Sequence, residues 1–155
     1  MNFIYYYTSL IGTLILHSDG EFLKEIVFSN EVPKDNKEIK LKIFEETKEW
    51  LDIYFEGQTP SFTPKMKPEG TEFQLAVWEI LKTIPFGKTM TYGEIAKMFS
   101  AKMSAQAIGG AVSKNKIPII IPCHRVLGND SKLTGFSGGL WRKEKLLELE
   151  GIKYK

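Results

Sequence analysis

Residues 58–70, QTPSFTPKMKPEG, gather three prolines and a glycine near the middle of a 155-residue chain. Proline fixes φ and removes a backbone donor, so no helix or central strand runs through such a stretch. The chain is therefore cut into two patterns. Its length accommodates one ordinary domain or two small ones packed together. The stretch reads as a linker or an extended crossover, dividing residues 1–68 from residues 69–155.

The first part has the pattern of a small sheet followed by a helix. Phe3–Thr8 is aromatic and β-prone. Thr13–Leu16 runs into the turn signal Ser18-Asp19-Gly20, and Phe22–Phe28 resumes strand character. This predicts a short antiparallel meander, broken at Pro33–Asn36. Ile43/Phe44, Thr47, Trp50/Leu51 and Tyr54 then recur at three- and four-residue spacing. That spacing predicts an amphipathic helix with one face on the sheet, ended by Gly57. The carboxylates of residues 31–56 read as its solvated side, and His17 as a surface histidine at a strand end.

The second part is mainly helical. Thr71-x-x-Gln74 and Thr91-x-x-Glu94 are capping boxes. Phe73, Val77, Trp78, Leu81 and Ile84 follow the first at helical spacing, until Pro85-Phe86-Gly87 ends the helix. The second opens a short helix through Ile95, Ala96, Met98 and Phe99. Ser104 can cap a third, Ala105–Lys114. Two short helices with a tight connection read as a helix-turn-helix, the second being the recognition helix. Inside it, Gly109 and Gly110 cost about 1 kcal/mol each against alanine. Either helix packing through small residues or the close approach of a nucleic-acid backbone would offset that cost. A loop holding Gly128, Gly135, Gly138 and Gly139 leads to a last helix, Leu140–Glu150.

Composition narrows the function. Residues 1–70 carry 8 lysines and 12 carboxylates, and residues 71–155 carry 13 basic and 7 acidic side chains. The halves thus differ in sign, and a polyanion would meet the second. No apolar run approaches the roughly 18–20 residues that cross a bilayer. Met1–Tyr5 lacks the basic start of a signal peptide. One cysteine, Cys123, precludes an internal disulfide and fits a reducing, cytoplasmic compartment. One cysteine and two histidines fall short of a zinc ligand set, and no metal or cofactor is expected. Phe86-Gly87-Lys88-Thr89 imitates the end of a phosphate-binding loop, but Lys82 stands where that pattern needs glycine.

The chemistry centres on Pro122-Cys123-His124-Arg125. A free thiol has a pKa of about 8.5, and a neighbouring cation or base can favour the thiolate, which is the nucleophile. The approach, Ile117-Pro118-Ile119-Ile120-Ile121-Pro122, is apolar and bounded by prolines. It is expected to be buried and extended, aiming the sulfur. An isolated cysteine is more often a small buried hydrophobe. The adjacent histidine and the upstream helix-turn-helix favour the nucleophile.

Phe73-Gln74-x-x-Val77-Trp78, Ile84-Pro85-x-Gly87-x-Thr89, Thr91-Tyr92-Gly93-x-Ile95-Ala96, Ile108-Gly109-Gly110-Ala111, Asn115 and Ile121-Pro122-Cys123-His124-Arg125-Val126 resemble the alkylguanine-DNA alkyltransferases. These are also called methylated-DNA–protein-cysteine methyltransferases. Leu133-x-Gly135-Phe136-x-Gly138-Gly139-Leu140 and Lys143-x-x-Leu146-Leu147-x-x-Glu150 extend the likeness across about residues 71–151.

The resemblance implies an α/β N-terminal domain of ribonuclease-H-like type, then an all-α winged-helix-like domain with the helix-turn-helix. It implies a monomer that binds double-stranded DNA in the minor groove and flips out an alkylated guanine. Flipping has its own physical ground, because a protein nucleophile cannot reach an atom inside the duplex. Cys123 would take the alkyl group from the 6-oxygen of guanine once and irreversibly, with the 4-oxygen of methylthymine a second candidate. His124 would accept the thiol proton through a water, Glu150 would orient His124, and Asn115 would brace the site. Tyr92 would crowd the target phosphate and donate a proton to the departing guanine. Val126 and the Ser137 loop would line the base pocket. Gly93, Ala105, Gln106, Gly109, Gly110, Ser113, Lys114 and Arg125 complete the implied DNA and substrate contacts.

Two positions depart from the family pattern. Better-known members carry arginine at Gln106, filling the gap left by the flipped base, and tyrosine at Phe136. Weaker flipping and altered discrimination among substrates are the expectations. Two other classes compete. A recognition module for alkylated DNA would lack the cysteine. A Cys123–His124 hydrolase is awkward, because neighbours in an extended chain point to opposite sides.

Overall fold

The computed structural model describes residues 1–36 and 40–155. It divides into two compact units, Met1–Glu69 and Gly70–Lys155.

In the first unit, β1 (Phe3–Ser9), β2 (Gly12–Ser18) and β3 (Leu23–Ser29) form an antiparallel sheet in that order. The turn after β2 is built by Asp19, whose Oδ1 accepts from the backbone of Glu21 (3.0 Å) and Phe22 (2.8 Å). Helix α1 (Lys42–Phe55) packs on all three strands. Its buried residues are Ile43, Phe44, Thr47, Trp50, Leu51 and Tyr54, the stripe that the spacing predicts. Gly57, at φ 84°, ends it with an N–H bond of 2.9 Å to the Tyr54 carbonyl. Of the carboxylates assigned to a solvated helix side, Glu38 lies outside the described residues, and Asp52 is tied to the Tyr7 hydroxyl at 2.6 Å. His17 is half-buried near the end of β2, beside Asn2 at 3.1 Å. The proline stretch is anchored: Leu23 pairs with Lys65 (2.8 Å) and Lys67 (3.0 Å) through backbone bonds. It runs along the first residue of β3.

The second unit is helical: α2 (Glu72–Leu81), α3 (Tyr92–Phe99), α4 (Ala105–Ser113) and α5 (Leu140–Leu149). Both capping boxes form. Ser104 caps α4 by accepting from the Ala107 N–H at 3.0 Å. Trp78 of α2 is 1% exposed and donates its indole N–H to Ala111 of α4 at 2.9 Å, fixing the helix-turn-helix on the core. The unit also holds a two-residue parallel pair, β4 (Met90–Thr91) with β5 (Val126–Leu127). That pairing was not legible in the sequence. It matters because it sets the start of α3, and so Tyr92, beside the segment that carries Cys123.

Candidate active site

The approach to Cys123 is buried but not extended. The Ile121 N–H bonds the Ile117 carbonyl at 3.0 Å, which closes a tight turn, and Ile119 sits at φ 75°. A β-branched residue seldom takes a positive φ, so this backbone is held against its preference. Two things hold it. Ile117, Ile119 and Ile121 are almost wholly buried. Asn115 clamps the turn, accepting from the Ile117 N–H at 3.1 Å and donating to the Ile121 carbonyl at 2.8 Å. Two prolines in six residues exclude regular structure, but they do not dictate which irregular path is taken.

Cys123, His124 and Arg125 form one 3-10 turn, with the Cys123 N–H bonded to Ile121 at 2.8 Å. Successive side chains in such a turn are about 120° apart. The extended-chain objection to a Cys–His pairing therefore does not apply. Cys123 is 4% exposed. Burial pushes its thiol up to about 11, against the lowering effects of an Asn115 hydrogen bond, the Lys143 charge and two backbone N–H groups. Desolvation outweighs these neighbours, so the resting sulfur keeps its proton.

Behind the thiol lies a buried ionic cluster. Glu150 Oε2 meets His124 Nε2 at 2.5 Å. Glu150 Oε1 accepts from Arg125 Nε at 2.8 Å and from the Gly87 N–H at 2.9 Å. Burial alone would raise the Glu150 carboxyl, but hydrogen bonds and charge from His124 and Arg125 outweigh it and hold it at about 2. Burial lowers His124 despite that carboxylate, so the imidazole rests neutral and donates Nε2–H. Gly87, at φ 80°, adopts a conformation that a side chain would resist, and so brings its N–H to Glu150.

Arg125, expected among the DNA contacts, faces inward. It is 8% exposed, and its Nη1 donates to the Ile84 carbonyl at 2.6 Å. A guanidinium beside a buried carboxylate gains more there than at the surface. Val126 is fully buried in β5, and the cavity beside Cys123 is lined without its side chain.

That cavity has an empty volume of about 340 Å³. Cys123, Tyr92, Gly109, Ser113, Phe136 and Ser137 line it. So does Lys143, whose side chain is fully buried and whose Nζ donates to the Val126 carbonyl at 2.8 Å. Burial drops that ammonium to about 8. Tyr92, the first residue of α3, is half-buried. Ser113 donates to the Gly110 carbonyl at 2.8 Å. Gly93 is half-buried next to Tyr92, while Ala105, Gln106, Gly110 and Lys114 are exposed on α4 and its end. A Cβ on Gly109 would lie 3.7 Å from the Tyr92 ring, and one on Gly110 would meet no atom within 4 Å. Packing within the described residues therefore explains no need for glycine at 110.

Sequence reasoning gave Lys143 and Thr134 no role. A signal for Lys143 was present. Lys143, Leu146, Leu147 and Glu150 share one helix face, and a lysine and a glutamate on an apolar stripe point to a buried polar site.

A sheet-and-helix unit followed by a helix-turn-helix unit, with one buried thiol backed by a His–Glu–Arg cluster, defines a two-unit nucleophilic-cysteine protein. Residues 72–152 match the DNA binding domain of 6-O-methylguanine DNA methyltransferase, and residues 3–68 match its ribonuclease-like domain. The methylated-DNA–protein-cysteine methyltransferase of Haemophilus influenzae is 45% identical, across 96% of this chain and 86% of that protein. That of Methanosarcina acetivorans is 47% identical, across 94% and 96%. The crystal structure of the Mycobacterium tuberculosis O6-methylguanine methyltransferase superposes with a TM-score of 0.83 at 38% identity, covering 97% of this chain and 93% of that one. A second structure of the mycobacterial protein, in complex with DNA, also gives 0.83 at 38% identity, covering 96% and 92%. The chain belongs to the 6-O-methylguanine DNA methyltransferase family.

Proposed function

We propose that this protein repairs DNA by moving the alkyl group of a 6-O-alkylguanine onto its own Cys123, once per molecule. The observation that carries the reading is the chain's single thiol in the wall of a cavity beneath the helix-turn-helix, backed by a neutral histidine on a buried carboxylate.

The sulfur rests protonated, so a base must act as the S–C bond forms. His124 is that base. Its Nε2 is engaged by Glu150, so Nδ1 takes the thiol proton, directly or through a water, and the Glu150 carboxylate stabilises the imidazolium. Arg125 and Gly87 keep Glu150 charged and aimed. Asn115 and the turn at Ile119 fix the sulfur, so displacement at carbon starts from a set geometry. The DNA is double-stranded, and the protein meets it with an α4 surface of Ala105, Gln106, Gly110, Ser113 and Lys114. The damaged base turns out of the stack into the cavity between Tyr92 and the loop of Phe136 and Ser137. Gln106, on the first turn of α4, takes the gap left behind. No helix among the described residues is long and apolar enough to cross a membrane. The lone cysteine supports a reducing, cytoplasmic setting, and the protein acts on DNA as a monomer in this reading.

The experiment is intact mass spectrometry after mixing with a duplex bearing one 6-O-methylguanine. One methyl gained per molecule, and none by Cys123→Ala, is the expected result. DNA binding without any mass gain would overturn the transfer and leave a recognition module.

A further inference from the structure

One side chain joins the cavity's phenol to its ammonium. Thr134 Oγ1 lies 3.1 Å from Tyr92 Oη and 3.2 Å from Lys143 Nζ. An ammonium only donates, so the lysine bond uses an oxygen lone pair of Thr134. The hydroxyl keeps one proton. Among the described residues the other partner of that half-buried hydroxyl is Tyr92, the acceptor available to its remaining proton. With Lys143 donating to Thr134, the hydroxyl proton of Thr134 is placed to go to Tyr92 Oη, an arrangement that would leave the phenol proton to point into the cavity. Thr134 is firmly seated. A Cβ on Gly128 would come 2.9 Å from its methyl group, so glycine makes its room, and the neighbouring Leu133 N–H is tied to the Lys155 carbonyl at 2.9 Å.

We propose that Thr134 is a positioning residue for the transfer: it hands the polarity of Lys143 to Tyr92 and so makes the phenol a proton donor to the departing base. This rests on the function proposed above. The S–C bond forms as the carbon–oxygen bond breaks, and the electron pair of the broken bond passes to guanine. His124 holds the thiol proton. Guanine takes the Tyr92 proton, and the phenolate, stabilised by the Thr134 hydroxyl, recovers one from solvent as His124 releases its own. The sum exchanges the methyl group for a proton. The cavity's other titratable groups are Cys123, which raises Tyr92, and Lys143, and burial raises Tyr92 more than the Thr134 bond lowers it.

The test uses the full chain and two readouts. Thr134→Val keeps the shape and loses the hydroxyl, Thr134→Ser keeps the hydroxyl, and Thr134→Ala stands in for valine should that variant fold poorly. Without DNA, the Tyr92 phenol is titrated by NMR of ring-labelled tyrosine, assigned with Tyr92→Phe. Removing the hydroxyl is expected to raise its pKa by about one unit, and serine to restore it. With a duplex carrying 6-O-methylguanine, loss of the hydroxyl is expected to slow the saturating single-turnover rate about tenfold, leave DNA affinity unchanged, and have no effect in a Tyr92→Phe background. An unchanged phenol pKa, or a loss that persists without the Tyr92 hydroxyl, overturns the inference. If the pKa moves but the natural protein gains no methyl, the bonded chain stands and the proposed function falls.

Discussion

Arg125 donates its Nε–H to Glu150 Oε1 at 2.8 Å, two residues along the chain from the thiol. The same carboxylate holds His124 through its other oxygen. One turn of chain thus supplies the nucleophile, its base and the cation that keeps the base's partner ionised. Glu150, the residue that organises all of this, comes from the end of a different helix.

Glu150→Gln leaves the Arg125 guanidinium buried without its counter-charge. Breaking a buried ion pair from one side costs about 3–5 kcal/mol, and chemical denaturation is expected to show a loss of that size. Single-turnover methyl transfer is expected to slow by about 10²–10⁴-fold, the share of a general base that has lost its support. Transfer at the natural rate would remove His124 from the mechanism.

The acid side of the pH profile follows from two directions. His124 lies below its ordinary 6.5, so the transfer rate is expected to hold through pH 6.5 and fall only in more acid solution. Glu150 lies at about 2 against an ordinary 4.5. Its contribution to stability is therefore complete above about 4.5 and is lost as pH falls towards 2. Rate and unfolding midpoint measured across pH 3–8 check both, and the natural protein should lose rate at a higher pH than it loses fold.

Gly110→Ala separates folding from DNA contact. No atom lies within 4 Å of the added carbon, and an alanine in a helix interior is favoured by about 1 kcal/mol. A higher unfolding midpoint with weaker duplex binding is expected. Equal binding would show that α4 does not bring its backbone against the DNA at this point.

Gln106→Arg is expected to speed transfer from duplex DNA while leaving the free thiol's reactivity with a small electrophile unchanged. Gln106 is exposed on α4, away from the buried cluster, so its effect belongs to holding the duplex open. Equal transfer rates would make glutamine as good a filler as arginine.

Gly70→Ala tests the packing of the second unit. The new carbon would stand 2.7 Å from the Trp78 ring, which is buried and tied to Ala111. Overpacking a fixed ring costs about 1–3 kcal/mol, read as a lowered unfolding midpoint.

Local rules carried the sequence reading far. The α1 stripe, both capping boxes, the Ser104 cap and the three-stranded meander each depend on residues a few positions apart, where spacing and side-chain chemistry suffice. The motif around Cys123 marked the reactive segment and its family likeness for the same reason. What remained hidden depended on which distant groups meet. Arg125 reads as a DNA contact until the fold turns it onto Glu150. Val126 reads as a pocket wall until β5 buries it. The thiol reads as activated by its neighbours until burial, a property of the packed unit, pushes it up. Lys143 and Thr134 gain meaning only when α5 and the 131–139 loop come against Tyr92. Short-range pattern is enough for the meander, the main helices and their caps, the nucleophile and the family resemblance. Tertiary structure alone decided the protonation states and the partners of each charge, because desolvation and ion pairing depend on what packs nearby and not on what is adjacent in the chain.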